Sequence, residues 1–551
     1  MNFRYSRFAG RPRERFLERC FEVLPGLTSW TFLISMTVLS IAKPRIAAVC
    51  IIIFDFYWLL RLFYLTLFLS LSYFRLAAEE NTDWNFRIKV LDDLIRGRGG
   101  DVPGVPANPG IKGALSAWIC QKELLRHQIQ KNPPPLSGDI FHLVIVPLIK
   151  ESAEVVEPGI RSYAEGKFPA EQILVVLALE ERASTVIREG VRRLKKKFGD
   201  TFREFEVVMH PSNLSGEARV KGANVTYAAK QMREYFKNHD IDLGRVIVSC
   251  FDADTVVSPN YFACLTYNFM VCPKRYRASF QPIPVYHNNI WEVPGFARVL
   301  EIGASFFQLT EATQPEKLVT FSSHSMSFKA LDEIGYWPVD MISDDSAIFW
   351  KAFLHYDGDY RTVPLYATLS MDVADAGSWW KTTLNIYRQK RRWAWGVENF
   401  PIVMRGFMKS KIDFTKKITL GFKLFEIHVA WATWPIILAV VGWLPGHFAG
   451  REFENSVLYY TAPRITEIIF NLASVSLVVS IILSYCLLPK RKIKVSLFHK
   501  IAHALEWLCI PLVAIFLSAI PALDAQTRLM MGKRMEFWVT DKRRQRPGVR
   551  S

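Results

Sequence analysis

Arg245-Val-Ile-Val-Ser-Cys-Phe251 is an apolar run that stops abruptly on Asp252-Ala253-Asp254. A short, β-branched run closed by polar residues reads as a buried strand. Three runs upstream have the same form. Phe141-His-Leu-Val-Ile-Val-Pro147 is stopped by proline and followed by Lys150-Glu151. Gln172-Ile-Leu-Val-Val-Leu-Ala178 leads to Glu180-Glu181, and Phe205-Glu-Val-Val-Met209 is the third. Polar helical stretches separate them, including a basic one at 188–197 that reads as a solvated face. Strands alternating with helices predict an α/β domain with a mostly parallel sheet. Ligands of such sheets sit at the carboxyl ends of the strands. Glu151, Glu180, Asp252 and Asp254 all fall there.

Outside this region the chain changes character. Residues 27–76 are almost continuously apolar, broken by Lys43-Pro44-Arg45, Asp55 and Arg61. About 20 residues cross a bilayer, so helices at 27–42 and 46–68 fit a membrane hairpin with a tight turn, and one long span is the competing reading. Three more apolar runs follow the α/β region, at 420–444, 465–488 and 505–522. Between about 80 and 410 none is long enough to span.

The 551 residues suffice for two to four units of ordinary size. Half are hydrophobic, which excludes a disordered chain, and 29 glycines exclude collagen. The eight cysteines are scattered, with no Cys-x-x-Cys pair for a thiolate zinc site. They read mostly as small buried hydrophobes in a reducing compartment. The net charge of +17 has a membrane explanation. Six Arg fall in the first 19 residues, and the 489–500 loop holds five Lys or Arg and no acid. The 445–463 loop holds one Arg against two Glu. The positive-inside rule puts the N-terminus, the central region and the 489–500 loop in the cytoplasm. No nucleic-acid-binding motif is present. One conflict stays open. Three crossings after a cytoplasmic domain put the C-terminus outside, yet the tail from Arg528 carries eight Lys or Arg against two acids. Either 505–522, with Pro511 and Pro521, is re-entrant, or the spans are miscounted.

Alternate residues of an extended segment point the same way, so Asp252 and Asp254 can aim at one divalent cation shared with substrate phosphates. A turn cap explains the same pair. Ser343-Asp344-Asp345 before an apolar helical stretch reads equally as a helix N-cap with first-turn acids. Gln389-Lys-Arg-Arg392-Trp393 lies among Trp379, Trp380 and Trp395. It suits either a sugar-phosphate site or an interfacial aromatic belt. No phosphate-binding P-loop motif occurs.

Taken in order, these pieces resemble the membrane-embedded family 2 glycosyltransferases of the cellulose, hyaluronan and chitin synthase group. Glu151, Glu180, Lys221-Gly-Ala-Asn224, Asp252-x-Asp254, Ser343-Asp-Asp345 and Gln389-x-x-Arg392-Trp393 match the family's motifs in sequence. Phe537-Trp-Val-Thr-Asp-Lys542 resembles the cytosolic gating loop of bacterial cellulose synthases. Three departures stand out. Glu180 replaces the usual Asp, Asp344 replaces the usual Glu, and His324 interrupts the small-residue segment 321–326, where it reads as a packed residue.

The resemblance implies a GT-A-type nucleotide-sugar domain at 139–410. A basic N-terminus and hairpin (1–80) and a linker or interfacial segment (81–138) precede it. An interfacial helix and membrane helices (411–530) follow, then a basic tail (531–551). It implies a multi-pass protein of the plasma membrane whose catalytic domain is cytoplasmic. The implied activity is inverting transfer from a nucleoside diphosphate sugar, UDP-linked, to a growing polysaccharide. Asp345 is the implied base, with Asp344 beside it. Glu151, Glu180, Lys221, Asp252, Gln389, Arg392, Trp393, Thr540 and Lys542 are the implied donor-binding residues. Asp252 and Asp254 are the implied ligands of Mg²⁺ or Mn²⁺. The implied partners are the donor, a polysaccharide or lipid acceptor and membrane lipid, without nucleic acid. A single-sugar transferase to a lipid is an alternative. So, from another class, is a transporter or receptor with a nucleotide-binding domain, for which the charges at Asp55, Arg61, Glu426 and Glu467 are the relevant feature.

Overall fold

The computed structural model describes residues 3, 12–97, 110–128, 133–448, 450, 454–489, 497–536, 538 and 540. The four expected strands form: β1 (Phe141–Leu148), β2 (Ile173–Glu180), β3 (Glu204–His210) and β4 (Val246–Cys250). Their β-branched residues alternate between two apolar layers. Val144, Val146 and Leu148 enter one core, Leu143 and Ile145 the other. A strand buried on both faces carries no polar alternation, which is why these runs read as continuous. β1 lies between β2 and β4, parallel to both, and β3 extends the parallel set.

Four further strands were not apparent from the sequence: β5 (Val256–Val257), β6 (Ala278–Val285), β7 (Ser325–Ser327) and β8 (Arg361–Ser370). They complete a sheet of order β3-β2-β1-β4-β7-β6-β8-β5. β7 runs antiparallel to β4 and β6, and β5 antiparallel to β8. β6 carries Pro282 and Pro284, which disguise it, because proline cannot donate to a ladder. The register with β8 shifts at Pro282/Ile283, and that irregularity accommodates the prolines.

The helices that position the site, in chain order, begin with α1 (Pro12–Ala42) and α2 (Pro44–Glu79). Lys43 breaks between them at φ −143° and ψ 65°, with Pro44 at the first helical position of α2. Leu33 and Met36 of α1 share an apolar cluster with Phe54 of α2, so the pair folds back as a hairpin, not one long span. α3 (Trp84–Ile95) and α4 (Ile111–Gln128) follow, then α5 (Lys221–Asn238), α6 (Gly295–Glu311), α7 (Asp344–His355), α8 (Trp379–Ala394), α9 (Phe414–Ala439) and α10 (Val457–Leu487). The 81–138 segment is more than a linker. Trp84, Ile88, Leu91, Cys120 and Leu124 are buried in the core of the α/β domain.

Among the described residues, five helical segments are long and apolar enough to cross a membrane: α1, α2, α9, α10 and His503–Met530. The charges within them pair across helices. Arg61 of α2 lies 3.1 Å from Glu426 of α9, and Asp55 accepts a hydrogen bond from Thr466 of α10 at 3.3 Å. Such pairing is what burial of charge between helices requires. All eight cysteines are free, but Cys20, Cys486 and Cys509 are exposed, contrary to the expectation that most are buried. Those three lie on the membrane-length segments, where lipid-facing apolar residues count as exposed.

His503–Met530 differs from the other four. It is fastened to the α/β domain at both ends. Glu506 pairs with Arg298 of α6, and Asp524 accepts from Arg391 of α8 at 2.8 Å. Between them Val513 and Leu517 enter the domain's own core. Its last turn packs on α1, where Ser29 donates to Gln526 at 2.7 Å and Arg19 donates to Leu529 O at 2.9 Å. A cation at a helix C-terminus satisfies carbonyls left without helical donors.

α5 packs closely on the segment before α7 through Gly222. A Cβ there would lie 2.1 Å from Pro338 O. Gly222→Ala is expected to cost about 1–3 kcal/mol through overpacking. Gly303→Ala, in α6, where a Cβ meets nothing within 4 Å, is expected to be neutral or to stabilise by up to about 1 kcal/mol. Melting temperatures of the two variants in detergent check the pair.

Candidate active site

β4 ends at Cys250, and the chain then turns, with Thr255 N–H donating to Asp252 O at 2.9 Å. The segment is therefore not extended, and the two aspartates do not aim at one point. Asp252 faces a cleft. Asp254 is fully buried, and its carboxylate accepts the Asp372 N–H at 2.7 Å beneath the cleft. The Asp252 carboxylate accepts from Ser322 Oγ at 2.5 Å, and its N–H donates to Ser323 Oγ at 3.2 Å. Ser323 has φ +61°, a conformation rare outside glycine. Its hydroxyl also bonds Thr255 Oγ1 at 2.9 Å, tying the turn to the 321–326 segment.

Lys221 opens α5 and points its ammonium between two carboxylates, at 2.9 Å from Asp252 and 2.8 Å from Asp345. Burial works against that charge, but Asp252 and Asp345 outweigh it and hold Lys221 well above the usual lysine range. Asp344 and Asp345 occupy the first turn of α7 and point apart. Asp345 reaches Lys221, whereas Asp344 is 2% exposed and its Oδ2 has no hydrogen-bond partner. Burial first, then the charge of Asp345, pushes the Asp344 carboxyl up to about 8. Burial thus favours its uncharged form.

α8 closes the cleft from the membrane-helix side. Gln389, Arg392 and Trp393 line it, and the buried carbonyl oxygen of Gln389 has no hydrogen-bond partner. Trp393 is braced by the Lys390 ammonium 3.6 Å above its ring and by the edge of Phe321 at 5.7 Å. Lys390 pairs with Glu301 of α6 at 2.8 Å, with both side chains buried. Trp379 and Trp380 are exposed at the start of α8, and Trp395 is buried, so of the four tryptophans only Trp393 lines the cleft.

Glu151 and Glu180 line the opposite wall. Glu151 accepts the N–H groups of Ile149 and Lys150, at 2.8 and 2.9 Å, and so shapes the end of β1. Glu180 pairs with Arg182. Thr540 is buried against the cleft, and Trp538 lies 4.7 Å from the Arg388 guanidinium. Phe537 and Lys542 lie outside the described residues. His324 is buried, its Nδ1 3.0 Å from Phe321 O, and burial lowers it to about 4, as suits a packed neutral imidazole.

The cleft has a volume of about 210 Å³ and is partly open to solvent. It brings together the sequence-derived residues Glu151, Glu180, Lys221, Asp252, Asp344, Asp345, Gln389, Arg392, Trp393 and Thr540. Sequence reasoning missed Asn224 as a lining residue, and with it Tyr286, Thr320, Ser322 and Asp372. Tyr286 follows the end of β6 and its buried hydroxyl has no hydrogen-bond partner, a sign of a group kept for a ligand. Of these, Asn224 lay within the motif at 221–224 and Ser322 within the serine-rich 321–326 stretch, and Tyr286, Thr320 and Asp372 carried no signal in sequence.

Among the described residues no three His, Cys, Asp or Glu are gathered to hold a metal. Mg²⁺ is commonly held by one or two carboxylates plus substrate phosphates and water. Asp252, at the cleft, fits that requirement; Asp254, beneath it, does not.

The family model for glycosyl transferase family group 2 matches residues 247–519. The chain is a family 2 glycosyltransferase. It is 26% identical over 290 residues to the poly-beta-1,6-N-acetyl-D-glucosamine synthase of Staphylococcus epidermidis, covering 52% of this chain and 60% of that one. It is 23% identical over 325 residues to the synthase of the same name from Staphylococcus aureus (strain COL), covering 58% and 68%. Among solved structures, a Pyrobaculum calidifontis mannosyltransferase with GDP-Man and Mn²⁺ overlaps 66% of this chain and 96% of its own. That overlap is at 15% identity and a TM-score of 0.40, which says nothing about donor or metal here.

The glycosyltransferase has a titration to test. Asp344 is raised from 3.8 to about 8 on folding. A raised carboxyl stabilises the fold fully below its unfolded value, and that contribution is lost as pH rises through the folded value. The melting temperature of Asp344→Asn is therefore expected to gain on the wild type steadily between pH 4 and 9. A constant offset across that range contradicts the assignment.

Proposed function

We propose that this glycosyltransferase is a membrane-bound inverting enzyme that moves a sugar from a UDP-sugar to the end of a growing polysaccharide. The observation that carries the reading is the meeting of Asp252, Lys221 and Asp345 with Gln389, Arg392 and Trp393 around one cleft at the carboxyl ends of β1, β2 and β4. The printed names of the curated relatives supply the polymer class. The aligned region spans 60% of the first of them, so donor and acceptor are part of the proposal.

Asp345 takes the proton from the acceptor hydroxyl. Burial pushes the Asp344 carboxyl up toward its uncharged form, which suits it less to that role. Arg392 and the Gln389 carboxamide bind the diphosphate, since a guanidinium and an amide supply donors to its oxygens. Trp393 offers its face to the acceptor sugar. Mg²⁺ or Mn²⁺, when bound at Asp252, neutralises charge on the leaving diphosphate. A single displacement inverts the anomeric carbon and requires no covalent nucleophile. Thr540 and Trp538 bring the tail to the cleft mouth as a lid.

α1, α2, α9 and α10 cross the plasma membrane, and His503–Met530 lies along its cytoplasmic surface against α6 and α8. Four crossings return the basic tail to the cytoplasm with the catalytic domain. This removes the parity conflict.

UDP release by purified protein, screened across UDP-sugars and followed by product sizing, tests the activity. Release is expected to stop in excess chelator. Asp345→Asn is expected to retain UDP binding and lose about 10²–10⁴-fold in transfer; near-normal transfer refutes the base assignment. For the topology, the native exposed cysteines Cys20, Cys486 and Cys509 are first replaced. External thiol labelling is then expected at His447→Cys and not at Glu536→Cys. Labelling of Glu536→Cys from outside restores the fifth crossing.

A further inference from the structure

The loop that carries the paired acids is held from outside. Ser343 occupies the cap position of α7, yet its side chain makes no capping bond. Its hydroxyl instead donates to Glu398 Oε1 at 2.7 Å. The same oxygen accepts the N–H of Ile342 at 3.0 Å and the N–H of Ser343 at 2.8 Å. The other carboxylate oxygen of Glu398 accepts the Trp395 indole N–H at 2.9 Å. The next residue adds to the clamp. Asn399 Nδ2 lies 3.1 Å from Ser343 Oγ and 3.0 Å from Ser346 Oγ, and 3.1 Å from Gly396 O. Glu398 is 2% exposed.

Three donors from one loop converge on a single carboxylate oxygen. Hydrogen bonds to an ionised acceptor are roughly twice as strong as neutral ones. The loop so held begins two residues before Asp344 and three before Asp345. Glu398 itself ends the 3₁₀ turn Trp395–Glu398, which continues directly from α8. One stretch of chain therefore lines the cleft with Gln389, Arg392 and Trp393 and, five residues later, fastens the loop of the opposing acids. Neither the family motif nor the cleft lining includes Glu398.

We propose that Glu398, with Asn399, is a positioning residue that fixes the separation between Asp345 and the donor-gripping face of α8. The proposal rests on Asp345 being the base. It assigns Glu398 no contact with substrate. Donor binding depends on Gln389, Arg392 and Trp393 and on the strand ends, and the hydrogen bonds of Glu398 just described run to Ile342, Ser343 and Trp395 instead. Transfer depends on where Asp345 stands, and a displacement of about 1 Å at a reacting group can cost about 10²-fold.

Glu398→Gln keeps the size of the side chain but removes its charge. It also turns an amide N–H₂ toward either the Trp395 indole or the loop donors, so one donor faces another. The expected result is a kcat for transfer lower by about 10–100-fold, with UDP affinity and donor KM within twofold. Amide exchange at 342–346 is expected to quicken while the core strands β1 and β4 exchange as in the wild type. Should Glu398→Gln fail to fold, Asn399→Ala removes the other half of the clamp without changing a cleft-lining side chain, and the same split is expected at about 3–10-fold. Equal losses in UDP affinity and kcat, or unchanged kcat with unchanged exchange at 342–346, overturn the proposal. If the wild type releases no nucleoside diphosphate from any sugar donor, the activity reading fails separately. The exchange comparison then still decides whether Glu398 holds the loop.

Discussion

The Lys221 ammonium is the point on which the site depends. Asp252, Asp344 and Asp345 come from two segments far apart in sequence and meet in a cleft that excludes much of the solvent. Unscreened, such carboxylates repel one another, and a buried charge without a partner is far more costly than a surface one. Lys221 answers two of the three, at 2.9 and 2.8 Å. The third, Asp344, is buried, and burial pushes its carboxyl up toward the uncharged form. Adjacent acids thus meet different surroundings, one paired with Lys221 at the cleft, the other buried.

That arrangement needs Lys221 at a fixed height above the sheet. Gly222 lets α5 approach the Pro338 carbonyl, and Asn224 donates to Ala178 O at 2.7 Å, which ties α5 to the end of β2. From the other side, Glu398 fixes the loop of Asp345, and the buried Lys390–Glu301 pair fixes Trp393 against α6. The cleft is a meeting of three separately anchored pieces. Each anchor is a charged or polar contact inside an apolar surrounding, where one well-made hydrogen bond specifies a position that apolar packing alone leaves loose.

The same logic joins the soluble and membrane-length parts. The end of α2 is locked to α3 and α4 by a buried network in which Glu79, Arg87, Thr82 and Ser116 satisfy one another. Glu506 and Asp524 lock His503–Met530 to α6 and α8. These contacts make the helices part of the catalytic framework and bring the tail to the cleft at Thr540.

The sequence by itself determined the parallel half of the sheet, the membrane-length runs and nearly all of the cleft's charged residues. Buried strands and bilayer spans are written as runs of apolar residues, and the family's motifs keep their order along the chain. It left Asp254 between a metal ligand and a turn cap, because side-chain alternation holds only while the backbone stays extended, and a turn begins at Asp252. It missed β6, whose prolines conceal a strand that a register shift makes possible. It left open which of Asp344 and Asp345 is buried and which meets Lys221, since two neighbours in sequence differ only in what the fold packs around them. Whether 505–522 crosses or lies flat was equally beyond it. Hydropathy measures affinity for an apolar phase, whereas the ion pairs that fasten that segment at both ends depend on partners that only the tertiary structure supplies.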